Sequence, residues 1–343
     1  MATLVAVAAV AGVHLTTAED KGLTARDRAA AITRASVWSA TRVEAMDLRA
    51  GPQGKGAFAP NADVRCNYVK LKVSGASPKF SCELTSGDVV KVKYGADNSE
   101  VYGVVAASRL LWALGFGADR WYPVRVTCHG CPADPAKGGK TAPADTTFAI
   151  AAIERKLPGK TLETHQDEGW DWHELALVNP KTGGAPLAQR DALELLAAMI
   201  QHTDSKPAQQ KIICPPDDPG HPCAQPFMYI HDLGLTFGRA TLANNGGISG
   251  ANLAEWTKTD VWKDAKRCVA KIPQSFSGSL EDPTISEAGR KFLADLLSRL
   301  SDRQLRDLFE VARFPERSGT SVDEWIAAFR AKRDAITRAT CPS

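Results

Sequence analysis

The chain has 343 residues and a formal net charge of +3, with 44% apolar and 24% charged residues. That balance describes a globular chain able to bury a sizeable core, as one large domain or two ordinary ones, and excludes a disordered or membrane-embedded one. A charge this small, with no Lys/Arg-rich run, gives no footprint for nucleic acid.

Leu4 to Val13 is apolar and small, followed by His14, Leu15 and Thr16-Thr17-Ala18. This is the pattern of a signal peptide with its cleavage site, without the basic n-region and too short to span a bilayer. Residues 1–18 are therefore a signal-peptide remnant or, alternatively, an Ala-rich helix. Residues 19–60 read as a leader that packs on the body, with a helix between Asp27 and Arg49 and a Gly/Pro-rich loop from Gly51 to Pro60.

From Val64 the apolar period changes to two. Tyr68 to Val73, Phe80 to Leu84 and Val89 to Tyr94 read as strands of a small antiparallel sheet, with turns at Ser74–Pro78 and Ser86–Asp88. The Gly75-Ala76-Ser77-Pro78 turn either connects strands or covers a phosphate. After Gly95 to Asn98, Ser99 to Leu114 is a helix with Gly115 as its C-cap. Trp121 to Cys128 is a further strand, residues 133–146 a loop, and Thr147 to Ile153 a buried strand. The aromatic residues of Gly169-Trp170-Asp171-Trp172 read as packing, with His165 and His173 satisfied or exposed. Gln189 to Gln201 is an amphipathic helix that delivers the chain into His202. Ser286 to Leu300, Ser301 to Val311 and Ser321 to Thr337 are three capped helices.

Eight cysteines occur in sequence-local pairs, the usage of a disulfide framework in an oxidising compartment. Proximity pairs Cys66 with Cys82, Cys128 with Cys131 and Cys214 with Cys223, leaving Cys268 with Cys341. The C-x-x-C of Cys128 and Cys131 has two other uses, a redox pair or a zinc site with Cys214, Cys223 and nearby His221.

The sharpest pattern lies between Met199 and Phe237. His202-Thr203-Asp204-Ser205-Lys206-Pro207-Ala208-Gln209 resembles the H-R-D-L-K-P-x-N of protein kinases, and Asp232-Leu233-Gly234 resembles their D-F-G. Upstream, a strand ending in Lys93 and a helix opening with Glu100 resemble the Lys–Glu pair of the same family, at a spacing similar to its toxin-type and secretory-pathway branches. The order of elements extends the resemblance over Tyr68 to Gly238. Thr203 stands in place of Arg, Gln209 in place of Asn and Leu233 in place of Phe, and no A-P-E segment follows.

The resemblance implies an α+β, two-lobed protein-kinase-like fold. Residues 61–153 would form a β-rich N-lobe with one helix, and residues 154–343 a mainly α-helical C-lobe. It implies ATP with Mg2+ or Mn2+ as cofactors and a protein or small-molecule hydroxyl as acceptor. Asp204 would steer the acceptor hydroxyl and Lys206 would balance the γ-phosphate. Asp232 and Gln209, with Gln210 as rival, would hold the metal, while Gly234 lets the backbone turn sharply. Lys93 or Lys91, paired with Glu100, would position the phosphates, and His202 would be a scaffold residue bonded to backbone. The location would be secreted or periplasmic, with the cytoplasm as alternative and no transmembrane span. Three alternatives stay open: a catalytically silent kinase-fold binding module, a disulfide or zinc protein without nucleotide chemistry, and nucleotidyl transfer from ATP.

Overall fold

The computed structural model describes residues 23–71, 73, 75–140, 144–164, 168–218, 220, 223–238, 250–273 and 277–342. The apolar leader at Leu4–Val13, His165, His221 and the Asn244–Gly247 loop lie outside the described residues. Helix α1 (Ala25–Arg34) is capped by Thr24, whose side chain accepts from the Asp27 amide. It stops well short of Arg49. The β-branched Val37, Thr41 and Val43 disfavour its continuation, and the chain extends instead, bridging Ser36 to Phe227 and Trp38 to Phe116. Ile32, Ala35, Val37 and Leu48 are all buried in the main core, so this leader is part of the body.

Five strands follow: β1 (Ala62–Val69), β2 (Lys79–Leu84), β3 (Val89–Tyr94), β4 (Arg120–His129) and β5 (Thr146–Arg155). The expected antiparallel sheet is present, with its first strand at Ala62–Val69 rather than Tyr68 to Val73, but it does not stay open. It closes as a barrel in the order β1-β2-β3-β5-β4, with β1 and β4 joined in parallel from Ala62↔Val124 to Asn67↔His129. Closure removes both unpaired edges, which would otherwise expose rows of backbone donors and acceptors. Val64, Phe80, Val92, Tyr122, Val124, Val126 and Phe148 fill the interior as a core of their own.

Helix α2 (Ser99–Leu114) runs over the expected residues. Asn98 caps its start and Gly115, at φ +88°, ends it in the left-handed conformation that glycine adopts without penalty. Every residue of α2 except Trp112 is buried. A three-stranded antiparallel sheet of β6 (Lys160–Thr161), β8 (Gln210–Cys214) and β9 (Phe227–Ile230) leads away from the barrel. Helix α3 (Leu187–Met199) feeds the short strand β7 (Asp204–Ser205). Trp170 and Trp172 are buried, as expected, and His173 is exposed.

The C-terminal part comprises α4 (Leu253–Lys258), the β10 (Trp262–Asp264) and β11 (Val269–Ala270) hairpin, and β12 (Ser277–Gly278), which pairs in parallel with β7. Helices α5 (Glu287–Ser298), α6 (Asp302–Val311), α7 (Phe314–Ser318) and α8 (Val322–Arg338) follow. Ser301 and Ser321 form capping boxes with Gln304 and Glu324. An aromatic cluster joins these helices, with Trp256 and Trp325 stacked at 5.6 Å and Phe314 at 4.5 Å from Trp325. No helix among the described residues is long and apolar enough to cross a membrane.

All eight cysteines are paired: Cys66–Cys82, Cys128–Cys131, Cys214–Cys223 and Cys268–Cys341. Cys214 and Cys223 bond each other and so do not join Cys128 and Cys131 in a zinc site. The Cys268–Cys341 bridge spans 73 residues, and a loop of that length corresponds to about 4 kcal/mol of unfolded-state entropy. The double variant Cys268→Ser/Cys341→Ser is expected to lose about that much stability in denaturant unfolding; a loss below ~1 kcal/mol would show the tail held by α8 alone.

Candidate functional site

Strand β3 alternates its side chains, and its last turn carries Lys91 and Lys93 on one face. The structure separates their roles. Lys93 is wholly buried, and its Nζ donates to Glu100 Oε2 at 2.6 Å and to Asp232 Oδ1 at 2.9 Å. Lys91 instead pairs with Glu154 at 2.6 Å. Both ammonium groups sit over the Trp121 ring, at 5.1 Å for Lys93 and 5.4 Å for Lys91.

Each partner of Lys93 comes from a different element. Glu100 opens α2, where Asn98 accepts from the Glu100 amide and donates through Nδ2 to the Pro78 and Tyr94 carbonyls. Ser77, in the turn before β2, donates to Glu100 Oε2 at 2.8 Å. Asp232 follows β9, and its Oδ1 also accepts from the Gly234 amide at 3.0 Å. Burial pulls the Lys93 pKa down, but the fields of Asp232 and Glu100 outweigh it and raise the pKa, so Lys93 stays charged. Burial pushes the Asp232 carboxyl up, and Lys93, with Lys91 and His231, pulls it far below the usual carboxylate range.

Gly234 matters for room more than for a turn. Its φ is not in the left-handed region, and a Cβ there would lie 2.7 Å from Glu100 Cγ. A Cβ on Gly103, one turn further along α2, would meet the Gly234 carbonyl oxygen at 2.4 Å. Two glycines thus allow the helix to lie directly on the Asp232 turn. Gly103 looks like a mid-helix flaw in the sequence and escaped notice there.

A second group lies beside the first. Asp204 Oδ2 accepts from Gln209 Nε2 at 2.6 Å, and Lys206 Nζ stands 3.4 Å from Asp204 Oδ1. The Gln209 carbonyl accepts from the His231 and Asp232 amides at 2.7 and 3.0 Å, which binds the two groups through backbone. Gln210, the rival of Gln209, turns inward and donates to the Ser205 carbonyl. Asp232 Oδ2 and Gln209 Oε1 accept no hydrogen bond among the described residues. They are oxygen donors of the hard type that Mg2+ or Mn2+ prefers, so the donor set fits such an ion.

His202 differs from its expected scaffold role. It is buried at 1% exposure, and neither ring nitrogen has a hydrogen-bond partner among the described residues. Burial lowers its pKa to about 4, against weaker upward pulls from Asp204 and Asp232.

A cavity of about 550 Å³ opens next to these groups between β3, the end of β5 and β8–β9, lined by Lys91, Glu154, Arg155, Lys211, Tyr229 and His231, among others. Beneath it, buried Asp119 accepts from the Leu157 amide at 2.7 Å and from the Tyr229 hydroxyl at 3.2 Å, and it pairs with His231 Nδ1 at 2.5 Å. Burial and Asp119 raise the Tyr229 pKa and keep the phenol protonated. No sequence motif marks Asp119, Glu154 or His231, because each lies on a different element.

No family model matches the chain, and no curated protein resembles it in sequence. Among solved structures, the chain is similar to the Helicobacter pylori proinflammatory kinase CtkA, with a TM-score of 0.41 and 11% identity over 82% of this chain and 95% of that one. It also overlaps an apo pseudokinase, with a TM-score of 0.24 and 12% identity over 81% and 98% of the two chains. Overlaps this loose leave the functional reading to the geometry of the site.

Gly103→Ala would ordinarily strengthen a helix by about 1 kcal/mol. Here it is expected to destabilise the protein by about 1–3 kcal/mol, because the new Cβ meets backbone; a stabilised variant in denaturant unfolding would contradict the close approach.

The His202 pKa is lower folded than unfolded, so between its ordinary 6.5 and about 4 the unfolded chain binds the extra proton. Its contribution is complete above the ordinary value and is lost as pH falls through that window, by ~3 kcal/mol in total. Comparing the pH dependence of unfolding for the native chain and His202→Phe should show a flatter acid limb in the variant.

Proposed function

We propose that this protein is an ATP-dependent phosphotransferase of atypical kinase fold that acts on a protein hydroxyl or a small metabolite outside the cytoplasm. The observation that carries the reading is the ion triad of buried Lys93 and Glu100 with half-buried Asp232. One ammonium is shared by two carboxylates, the three groups coming from three elements, and His231, the residue before Asp232, lines the neighbouring cavity. Structural ion pairs seldom place a net negative charge in a dry site, where each ion costs several kcal/mol of desolvation. Phosphoryl transfer uses such a set because it must fix phosphates and a cation with little covalent chemistry.

In this reading the barrel with α2 is the small lobe, and the chain from the end of β5 onward is the large one. The nucleotide lies in the cavity between them. Lys93 donates to phosphate oxygens, and Glu100 holds its ammonium in place. Asp204 orients the acceptor hydroxyl and takes its proton as the new O–P bond forms and the bond to the leaving diphosphate breaks. Lys206, beside Asp204, offsets negative charge on the transferred group. Asp232 and Gln209 hold Mg2+ or Mn2+, which when bound neutralises charge on the phosphate oxygens. Four disulfides support an oxidising compartment.

Intact-mass analysis after incubation with ATP and Mg2+ or Mn2+ tests this directly. A phosphate adduct is expected on the native chain and not on Asp232→Ala, and Asp204→Ala should slow its formation about 10²–10⁴-fold. A nucleotide adduct would move the assignment to nucleotidyl transfer. Thermal stabilisation by ATP without any adduct or turnover would make the chain a binding module. The absence of both an adduct and stabilisation would sink the nucleotide reading.

A further inference from the structure

The turn before β2 holds a cation that the ion triad does not use. Lys79 is the first residue of β2 and stands directly opposite Lys93 in the antiparallel ladder. Residues directly opposite share one face of a sheet, and like charges in that position repel. Lys93 is compensated by two carboxylates. Lys79 is half-buried, and its ammonium makes no hydrogen bond or ion pair among the described residues. A fold that needed only a sheet would gain from any neutral residue here.

The position of the ammonium is specific. A Cβ built on Gly75 would lie 2.6 Å from Lys79 Nζ, so the side chain folds back against the turn that opens its own strand. Gly75 has φ +90°, a conformation in which glycine is favoured. The other end of the turn is tied to the triad, because Ser77 donates to the same Glu100 oxygen that accepts from Lys93. The turn therefore carries one ammonium without a direct partner among the described residues, beside a triad in which two carboxylates share one ammonium. Burial first, and then repulsion from Lys93, lowers the Lys79 pKa against upward pulls from Glu100 and Asp232, and an anion beside it would favour the charged form.

We propose that Lys79 is a phosphate-binding residue that contacts the terminal phosphates of a nucleoside triphosphate, held for that task by the Gly75–Pro78 turn. The inference rests on the nucleotide reading of the site, and it adds that the turn acts through a side chain. The selectivity is for polyphosphate over monophosphate, since one unpaired ammonium adds little to a ligand that ends at the first phosphate.

Calorimetric titration of the native chain, Lys79→Gln and Lys79→Arg with AMP, MgATP and inorganic triphosphate provides the test. Lys79→Gln is expected to weaken MgATP and triphosphate at least tenfold while leaving AMP within twofold, and Lys79→Arg should restore most of the loss. The ligand-free Lys79→Gln variant should melt no lower than the native chain, since it loses a repulsion, whereas a merely structural lysine would lower the melting point. Equal MgATP affinity in the native chain and Lys79→Gln would overturn the proposal and leave the nucleotide reading standing. Triphosphate binding that depends on Lys79, without MgATP binding, would overturn both the proposal and the nucleotide reading and leave Lys79 a contact for inorganic polyphosphate. A native chain that binds neither would remove both.

Discussion

One wholly buried ammonium group held between two carboxylates sets the terms for the rest of this molecule. Removing such ions from water costs several kcal/mol each, and the attraction repays it only when the partners are fixed within hydrogen-bond distance. Lys93 meets that condition at 2.6 and 2.9 Å. Each surrounding feature serves the fit. Trp121 lies under the ammonium, Asn98 ties the start of α2 to the strand and the turn, and Gly103 and Gly234 remove the atoms that would hold helix and loop apart.

The arrangement also explains where polar groups accumulate. Lys91, Glu154, Tyr229 and His231 line the cavity and, with Asp119 beneath, form a second set in which each charge has a partner. The Gln209 carbonyl touches both sets, accepting from the His231 and Asp232 amides. A ligand entering the cavity meets a charged wall whose groups are already mutually satisfied.

Local signals were legible in the sequence, and long-range ones were not. The limits of α2 could be read because Asn98 and Gly115 mark them chemically, and the cysteine partners could be read because three of the four pairs lie within 16 residues. Lys93, Glu100 and Asp232 were found by their order along the chain, although periodicity could not separate Lys93 from Lys91. That choice depends on where Glu154 falls, 63 residues after Lys91 and across the sheet. Barrel closure was hidden for a similar reason: β1 and β4 are far apart in sequence, and no residue in either announces a parallel partner. Helix α1 was overextended because an amphipathic stretch containing Val37 and Val43 fits a buried extended segment equally well.

Helix α2 has one further consequence. Its faces are enclosed by the barrel, the leader and the C-terminal helices, with Arg109 donating to the Leu48 and Arg49 carbonyls and Trp38 to that of Leu114. A helix anchored this way cannot pivot outward without opening the main core. The Lys93–Glu100 contact is then constitutive, present from the moment the chain has folded, and the helix is not available as an on–off lever.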